Sequence, residues 1–357
     1  MSVDLTTANY VPTLFLRPAE VRAVRELPDF AKDKLCPIFC LKPWQGAKKL
    51  SAAMDKIHEV FGDRPYFLDV DYFKKTTDPD REANISFNGI KNSANGHEDW
   101  INFFAEYPQA YPCVIAHHGI EDAILSQVEG FTKQEKFFLV RLSKELGENF
   151  DAVVDLVCKT EHSNFGFVVD VGWRRDLIKN EDWAASLIKR ITDIRGDSIP
   201  IVLTGSSFPD SFSHYKMGGQ ADLVERQLFD TIKSKNNVAR LIYGDWASTR
   251  SPSEGGGGGE IPKRIDLSIN AGWKIFRNHD TSGSYMAVAE HAVMDPSFEK
   301  SLNIWATYML KATAIGDPNG INSTYLATAV RINLHLYNQL YFAEDTKPFD
   351  TDEDFVE

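Results

Sequence analysis

Three aspartates stand at the ends of apolar runs in this sequence. Asp69 and Asp170 lie inside such runs, and Asp245 follows one. Carboxylates that meet at one site hold a divalent cation or act as general acid and base. Asp71 lies two residues beyond Asp69, so both share one face of a strand, unless Asp71 only caps the next turn. We therefore take Asp69, Asp170 and Asp245 as candidate catalytic residues and candidate metal ligands.

An arginine inside an apolar run needs a partner. Arg141 stands in Phe-Phe-Leu-Val-Arg-Leu, where it either pairs with a carboxylate such as Asp170 or Asp245 or binds a phosphate or carboxylate ligand through both arms of its guanidinium. Lys42 follows another run, and Ser206 lies in a Thr-Gly-Ser-Ser turn. Such a turn binds phosphate or caps a helix through its hydroxyls. Lys42, Arg141 and Ser206 are predicted ligand-binding residues.

Other catalytic motifs are weaker or absent. Adjacent histidines on a strand point in opposite directions, so at most one of His117 and His118 would face a site. The sequence contains no GxSxG, which argues against a nucleophile elbow. It has no GxGxxG after its first apolar run, which argues against dinucleotide binding.

Short apolar runs recur along the chain, each followed by a polar turn and an amphipathic stretch. Most are continuous and rich in Val, Ile, Leu and Phe, which is typical of parallel strands buried on both faces. The runs are residues 12–16, 36–41, 66–70, 113–116, 137–142, 165–171, 199–203 and 239–243.

The stretches between the runs predict helices. One of them, residues 47–61, carries Leu50, Met54, Ile57 and Phe61 at helical spacing. Alternating strands and helices predict βαβ units with right-handed crossovers, and eight units over about 250 residues favour a closed barrel over an open doubly wound sheet. The predicted fold class is α/β, a (β/α)₈ TIM-barrel-like single domain. The other predicted helices are 19–27, 99–107, 150–160, 182–194 and 220–233.

The pattern changes after the eighth run. Residues 255–259 are consecutive glycines, which predict a flexible loop near the functional end of the barrel. We expect one domain over residues 10–342, whose helical extension begins at about 298. Inside this domain we expect an extra strand at 264–277 and two helices at 299–314 and 323–342. After it we expect an acidic flexible tail at 344–357.

Composition excludes some classes of protein. The chain has 357 residues and a formal net charge of −12, which argues against direct nucleic-acid binding because such binding needs a basic surface. No run of about 18 apolar residues and no signal-peptide pattern occurs, so we expect a cytoplasmic protein without a membrane segment. Cys36, Cys40, Cys113 and Cys158 are predicted to be buried, reduced thiols.

Short motifs follow one another along most of the chain. They are Tyr10-Val-Pro, Glu20 at the start of the first helix, Cys36-Pro-Ile, Asp69, Leu139-Val-Arg-Leu, Val168-Val-Asp-Val-Gly, Gly205-Ser-Ser-Phe-Pro, Gly244-Asp-Trp, Trp273-x-Ile-x-Arg and Arg331-x-Asn-x-His. In this order and spacing, from about Tyr10 to about Phe342, they resemble the beta protein family of phages and bacteria.

The resemblance implies a barrel-like fold and a phage or defence-linked context, but it supplies no reaction. Through the Gly-Asp-aromatic and aromatic-plus-Arg motifs it adds Trp246 and Arg277 to the predicted ligand-binding residues. The sequence departs from the family at two places. Lys42 stands near the position where the second strand usually ends in an acidic residue, and Pro18-Ala-Glu replaces the usual Lys-Gly-Glu. Both departures change charge at the mouth of the barrel or its rim.

Three functional hypotheses follow. In the first, the barrel mouth binds a small anionic, phosphate-bearing ligand, and the aspartates with a divalent cation hydrolyse a phosphoester or related bond. In the second, the chain is a non-catalytic module that senses a ligand or binds a host or phage protein, using aromatic residues of the C-terminal helices that otherwise form core. In the third, the strand-end charges pair only with one another.

Overall fold

The computed structural model describes residues 5, 7–75, 78–116, 120–147, 149–173, 177–216, 218–235, 238, 240–249, 262–279, 281–344 and 347–348. In chain order its strands are β1 (Tyr10–Phe15), β2 (Ile38–Leu41), β3 (Tyr66–Val70), β4 (Ala110–Val114), β5 (Phe138–Ser143), β6 (Phe165–Trp173), β7 (Ile201–Ser206), β8 (Gly219–Asp222), β9 (Leu241–Asp245), β10 (Arg264–Ile269) and β11 (Gly272–Arg277).

The helices surround or follow these strands. They are α1 (Pro18–Arg25), α2 (Asp29–Lys32), α3 (Ser51–Phe61), α4 (Glu82–Ile90), α5 (Glu98–Phe103), α6 (Glu121–Lys133), α7 (Phe150–Cys158), α8 (Glu181–Arg195), α9 (Val224–Lys235), α10 (Tyr285–Met294), α11 (Trp305–Ala314) and α12 (Thr324–Leu340), with 3₁₀ turns at Ser93–Asn95 and Leu177–Asn180. None of the helices in the described ranges is both long and apolar enough to cross a bilayer.

The described residues form two compact units. The first takes the residues up to 16 together with 35–206 and 225–246. The second takes 17–34, 207–224 and the residues from 247 onward. The single domain over residues 10–342 stays a prediction.

The first unit is a closed barrel of eight parallel strands. Their order around the barrel is β1-β2-β3-β4-β5-β6-β7-β9, so each strand pairs with the next barrel strand along the chain and β9 closes onto β1. This arrangement confirms the predicted (β/α)₈ TIM-barrel-like fold. All eight apolar runs became barrel strands, because continuous apolar sequence suits a strand that is buried on both faces.

The apolar interior of the barrel takes one side chain from each strand. A strand turns alternate residues to opposite faces, so a single inward position on every strand is enough to build a layer. The members of this layer pack together with Leu5 and Cys36, and they are Val11, Ile38, Phe67, Cys113, Leu139, Val168, Val202 and Ile242. All four cysteines are buried, as predicted, and no disulfide joins any two of them.

The second unit is built on a three-stranded antiparallel sheet in the order β10-β11-β8. Gly272 begins β11 at φ 153°, and a Cβ there would lie 2.1 Å from the carbonyl oxygen of Ala221 on β8, so only glycine permits this close pairing. Helix α12 packs on β10 and on α1. Its N-cap Ser323 accepts a hydrogen bond from the amide of Leu326, which fixes where the helix begins.

The C-terminal aromatic residues belong mostly to the interior of this unit. Trp305, Tyr337 and Tyr341 are buried, whereas Tyr325 is 42 % exposed. At three of these four positions the aromatic side chain therefore belongs to the core of the unit and does not offer a surface to a partner.

Some elements differ from the prediction. Residues 264–277, predicted as one extra strand, form the β10–β11 hairpin. The helix predicted from residue 220 begins at Val224, since residues 219–222 form β8. Helices α2, α4, α6 and α10 were not predicted. In α10 the apolar residues lie on every side of the helix, so the sequence does not single out its buried face. The glycine run 255–259 and most of the predicted tail lie outside the described residues.

The apolar layer makes a prediction about stability. Replacing the fully buried Leu139 by Ala should lower the free energy of unfolding by about 2–5 kcal/mol, because it leaves a cavity in the barrel. Ile85→Ala on α4, whose side chain is 57 % exposed, is the matched control and should change it by less than about 0.5 kcal/mol. Urea unfolding measures both, and equal losses would contradict a packed barrel interior at Leu139.

Candidate functional site

A polar layer lies directly beyond the apolar layer of the barrel. A residue two positions after a member of the apolar layer points to the same face of its strand. The residue type at that position therefore decides whether the next layer is apolar or polar. The residues at these next inward positions are buried, and they are Thr13 on β1, Asp69 on β3, Arg141 on β5, Asp170 on β6 and Thr204 on β7. The strand period thus collects charged and hydroxyl groups inside the barrel.

Arg141 holds this layer together. Its Nε lies 2.7 Å from Oδ2 of Asp69, and its Nη1 donates to Oδ2 of Asp170 at 2.9 Å. Its Nη2 donates to the hydroxyl of Thr13 at 3.0 Å. The guanidinium therefore connects three strands of the barrel, and the two carboxylates leave this group with one more negative than positive charge.

Burial and pairing act in opposite directions on the charges of this layer. Burial disfavours the charged guanidinium, but Asp69 and Asp170 outweigh it and raise the pKa of Arg141 above its usual value. Burial raises the pKa of Asp69, whereas Arg141, the amide of Val70 and the hydroxyl of Tyr72 lower it in part. Arg141 is therefore a permanent cation whose charge is already matched by its two partners.

An aromatic cluster packs around the guanidinium. The Cζ of Arg141 lies 5.0 Å from the centre of the Trp246 ring, a cation–π contact. The indole N–H of Trp246 donates to Oδ1 of Asp170 at 3.2 Å, which fixes the ring. Trp246 in turn lies 4.1 Å from Trp173 and 5.1 Å from Phe15 between ring centres. Phe73 completes the cluster.

The indole N–H of Trp173 and the hydroxyl of Thr204 are buried and have no hydrogen-bond partner among the described residues. Trp173 pairs in register with Ser206, and Thr204 pairs with Asp170. Buried donors are almost always satisfied in native proteins, so these two groups are unusual.

Asp245 faces away from this polar layer. Gly244 takes the inward position on β9, where a Cβ would lie 2.8 Å from Val202. The neighbouring Asp245 therefore points outward, and its two oxygens accept hydrogen bonds from Tyr10 at 2.6 Å and Tyr243 at 3.0 Å. Tyr243 also packs on Phe229 of α9. Burial, with the Asp245 carboxylate second, raises the pKa values of both tyrosines.

The structure does not bring Asp245 together with Asp69 and Asp170. No three His, Cys, Asp or Glu side chains in the described part of the chain form a group that would hold a metal ion. His117 and His118 lie outside the described residues. The two inward aspartates are instead bridged by Arg141.

The remaining predicted residues are divided between the units. Lys42 follows β2 and lies 3.8 Å from Asp71, a pair at the end of the barrel. Ser206 ends β7 and is buried. Arg277 ends β11 in the second unit, where its Nη1 donates to the carbonyl of Phe212 at 2.8 Å.

The Ser-Ser turn has a local structural role. The hydroxyl of Ser207 donates to the carbonyl of Asp222 and accepts from the amide of Val224, the first residue of α9. A serine in this role fixes the start of a helix. The helix-capping alternative thus describes Ser207, while Ser206 remains at the end of its barrel strand.

Thr13, Trp173 and Thr204 were missed as site residues. Thr13 and Thr204 carried a usable signal, since both lie two residues beyond an apolar inward position, Val11 and Val202. Trp173 had none, because an irregularity between residues 170 and 173 breaks the strand period before it.

Fold and site together define an α/β barrel that carries a buried ion-pair network beyond its apolar interior. Residues 10–341 match the family model described as Beta protein, so the chain belongs to this family and the resemblance is confirmed. Protein beta of Enterobacteria phage P4 is 27 % identical over 371 residues, which cover 99 % of this chain and 99 % of that protein. The similarity therefore includes both units.

Removing the guanidinium should destabilise the barrel. Arg141→Met leaves two buried carboxylates without a counter-charge and should cost about 3–5 kcal/mol of unfolding free energy. Arg190→Met, which breaks a surface pair with Asp155, is the control and should cost far less because water solvates the remaining charge. A triple variant Arg141→Met, Asp69→Asn, Asp170→Asn should recover part of the loss. Equal effects of the two arginine variants in urea unfolding would contradict a central role for Arg141.

The outward site of Asp245 makes a separate prediction. Tyr10→Phe and Tyr243→Phe each remove a donor to a buried carboxylate and should lower stability by about 1–3 kcal/mol. Tyr66→Phe is the matched control, since Tyr66 is equally buried and its hydroxyl makes no hydrogen bond to a described residue. Thermal melting compares the three variants. If Tyr66→Phe is as harmful as the other two, the hydroxyl contacts to Asp245 contribute nothing.

Proposed function

We propose that the barrel binds a small phosphate-bearing ligand with a planar ring at the carboxyl ends of its strands. The observation that carries this proposal is the pair of unsatisfied groups, the indole N–H of Trp173 and the hydroxyl of Thr204. Leaving a buried donor without a partner costs about 1–3 kcal/mol. A ligand oxygen or ring nitrogen placed between them would recover that free energy.

The aromatic cluster supports a planar ligand. Trp173, Trp246, Phe15 and Phe73 present ring faces and edges within one region, and Phe73 is only half-buried. Aromatic side chains bind planar rings by offset stacking or edge contacts. Trp246 is held in place by Asp170 and Arg141, so the cluster is already organised before a ligand binds.

The phosphate group is assigned to the rim rather than to Arg141. The charge of Arg141 is matched by Asp69 and Asp170, so this residue positions Trp246 and is not expected to bind an anion. Lys42 lies farther out, at the end of β2; its pair with Asp71 is longer, at 3.8 Å, and 16 % of its side chain is exposed. Ser206 ends the seventh barrel strand, which precedes a loop that often binds phosphate in such barrels.

Binding without turnover is the form of this function that the carboxylates favour. Metal-assisted hydrolysis requires several oxygen ligands around one cation. Asp69 and Asp170 share Arg141, and Asp245 binds two tyrosines on the other face of its strand. There are two alternatives, hydrolysis of a phosphoester and a protein-binding module. A thermal-shift screen distinguishes both from binding without turnover.

The test is a thermal-shift screen of the full chain against nucleotides and phosphorylated metabolites, with and without Mg²⁺. A ligand at about 100 times its dissociation constant should stabilise the wild type by roughly 2.7 kcal/mol. Trp173→Phe and Thr204→Val each remove a proposed donor and should weaken binding of that ligand about tenfold. Trp183→Phe on α8, outside this cluster, is the control and should bind as the wild type does.

Several results would decide against the proposal. Unchanged binding in both Trp173→Phe and Thr204→Val would remove the site, and a screen without any shift would favour the protein-binding module. Release of inorganic phosphate that is lost in Asp69→Asn or Asp170→Asn, while binding persists, would replace pure binding by hydrolysis.

A further inference from the structure

A separate cavity of about 430 Å³ lies entirely within the second unit. Its wall is formed by the first turns of α1 and α12 and by one face of β10. Cavities that bind small ligands span about 300–1,000 Å³, so this one has room for a phosphorylated small molecule. Its charged lining residues are Arg17, Glu20, Arg264, Asp266 and Arg331.

The charges of this cavity leave a positive excess. Asp266 lies between two arginines, with its oxygens 2.7 Å from Nε of Arg264 and 3.0 Å from Nη1 of Arg331. Arg17 lies 3.8 Å from the buried Glu20, a longer pair. Among the described lining residues, three guanidinium groups thus face two carboxylates, in a chain whose overall net charge is −12. A local cationic cavity in an acidic protein attracts small anions.

The two inner arginines are fixed in place. Arg331 is buried and its guanidinium lies 4.2 Å from the centre of the Phe208 ring. Arg264 lies 3.3 Å from the centre of the Phe212 ring. Stacking on an aromatic face together with one ion pair restrains each planar guanidinium, so its remaining N–H groups keep a fixed direction.

Neutral donors and two helix ends complete the lining. Thr249, Thr324, Thr328 and Tyr285 contribute hydroxyl groups. Helices α1 and α12 both begin at the cavity, and the amino-terminal ends of helices favour negative charge. Guanidinium groups that arrive from α1, β10 and α12 approach from different directions, which suits the tetrahedral oxygens of phosphate better than a planar carboxylate.

We propose that this cavity of the second unit binds the phosphate group of a small organic phosphate, independently of the barrel site. Arg17, Arg264 and Arg331 supply the charge and the threonine hydroxyls supply further hydrogen bonds. With the barrel site proposed above, this chain would carry one ligand site in each unit, and the arginine of the Arg331-x-Asn-x-His motif belongs to the second.

The test is isothermal titration calorimetry of the full chain with inorganic pyrophosphate and with inorganic phosphate at constant ionic strength. Arg17→Gln should weaken binding of both about tenfold, because one charge-assisted contact is lost. Arg25→Gln makes the same charge change on the same helix but lies outside the cavity, and should leave binding unchanged. Thr328→Val, which keeps every charge, should weaken binding by a smaller factor.

Each outcome decides the proposal. Tenfold weaker binding in Arg17→Gln alone, with Trp173→Phe and Thr204→Val unaffected, supports a site in the second unit whatever the fate of the barrel proposal. Equal weakening by Arg17→Gln and Arg25→Gln would show general attraction to positive charge and overturn it. Loss of binding only in the barrel variants would place the anion in the barrel, and no binding by the wild type at millimolar pyrophosphate would also overturn it.

Discussion

A buried guanidinium inside a barrel must be neutralised where it stands, and much of the first unit follows from that constraint. Arg141 on β5 is held by Asp69 on β3, by Asp170 on β6 and by Thr13 on β1. Breaking such a group leaves an uncompensated charge in a medium of low dielectric constant, which is more costly than never having placed it there. The network therefore adds ion pairs and hydrogen bonds between strands that otherwise meet through apolar packing alone.

The same network determines what remains for function. Because Arg141 and its two aspartates satisfy one another, they form a rigid support that orients Trp246. A polar layer that looks like a catalytic centre in the sequence thus has a structural role first. In the function we propose, the ligand would instead meet Trp173 and Thr204 through stacking and hydrogen bonding.

The second unit uses the same interaction with the opposite balance. There one carboxylate, Asp266, lies between two arginines, whereas in the barrel one arginine lies between two carboxylates. The barrel network keeps a negative excess and the cavity of the second unit keeps a positive one. This sign is why the proposed phosphate contact of the barrel is assigned to its rim rather than to the Arg141 network.

The sequence by itself determined the barrel, because eight continuous apolar runs separated by amphipathic stretches have few other ways to be buried. It also predicted that polar residues at the strand ends, among them Asp69, Arg141 and Asp170, lie together, but it grouped Asp245 with them as well. It did not reveal the β10–β11 hairpin or β8, whose pairing depends on contacts between distant segments.

Only the tertiary structure decided the direction of Asp245 and the partners of every charge. Asp245 and Trp246 are adjacent in sequence, yet one binds tyrosines outside the barrel and the other stacks on Arg141 inside it. A shift of one residue along a strand reverses the face, and β9 is buried at every position, so its sequence pattern does not show which face is inward. The arginine cavity likewise joins residues 17, 264 and 331, which no local pattern places together.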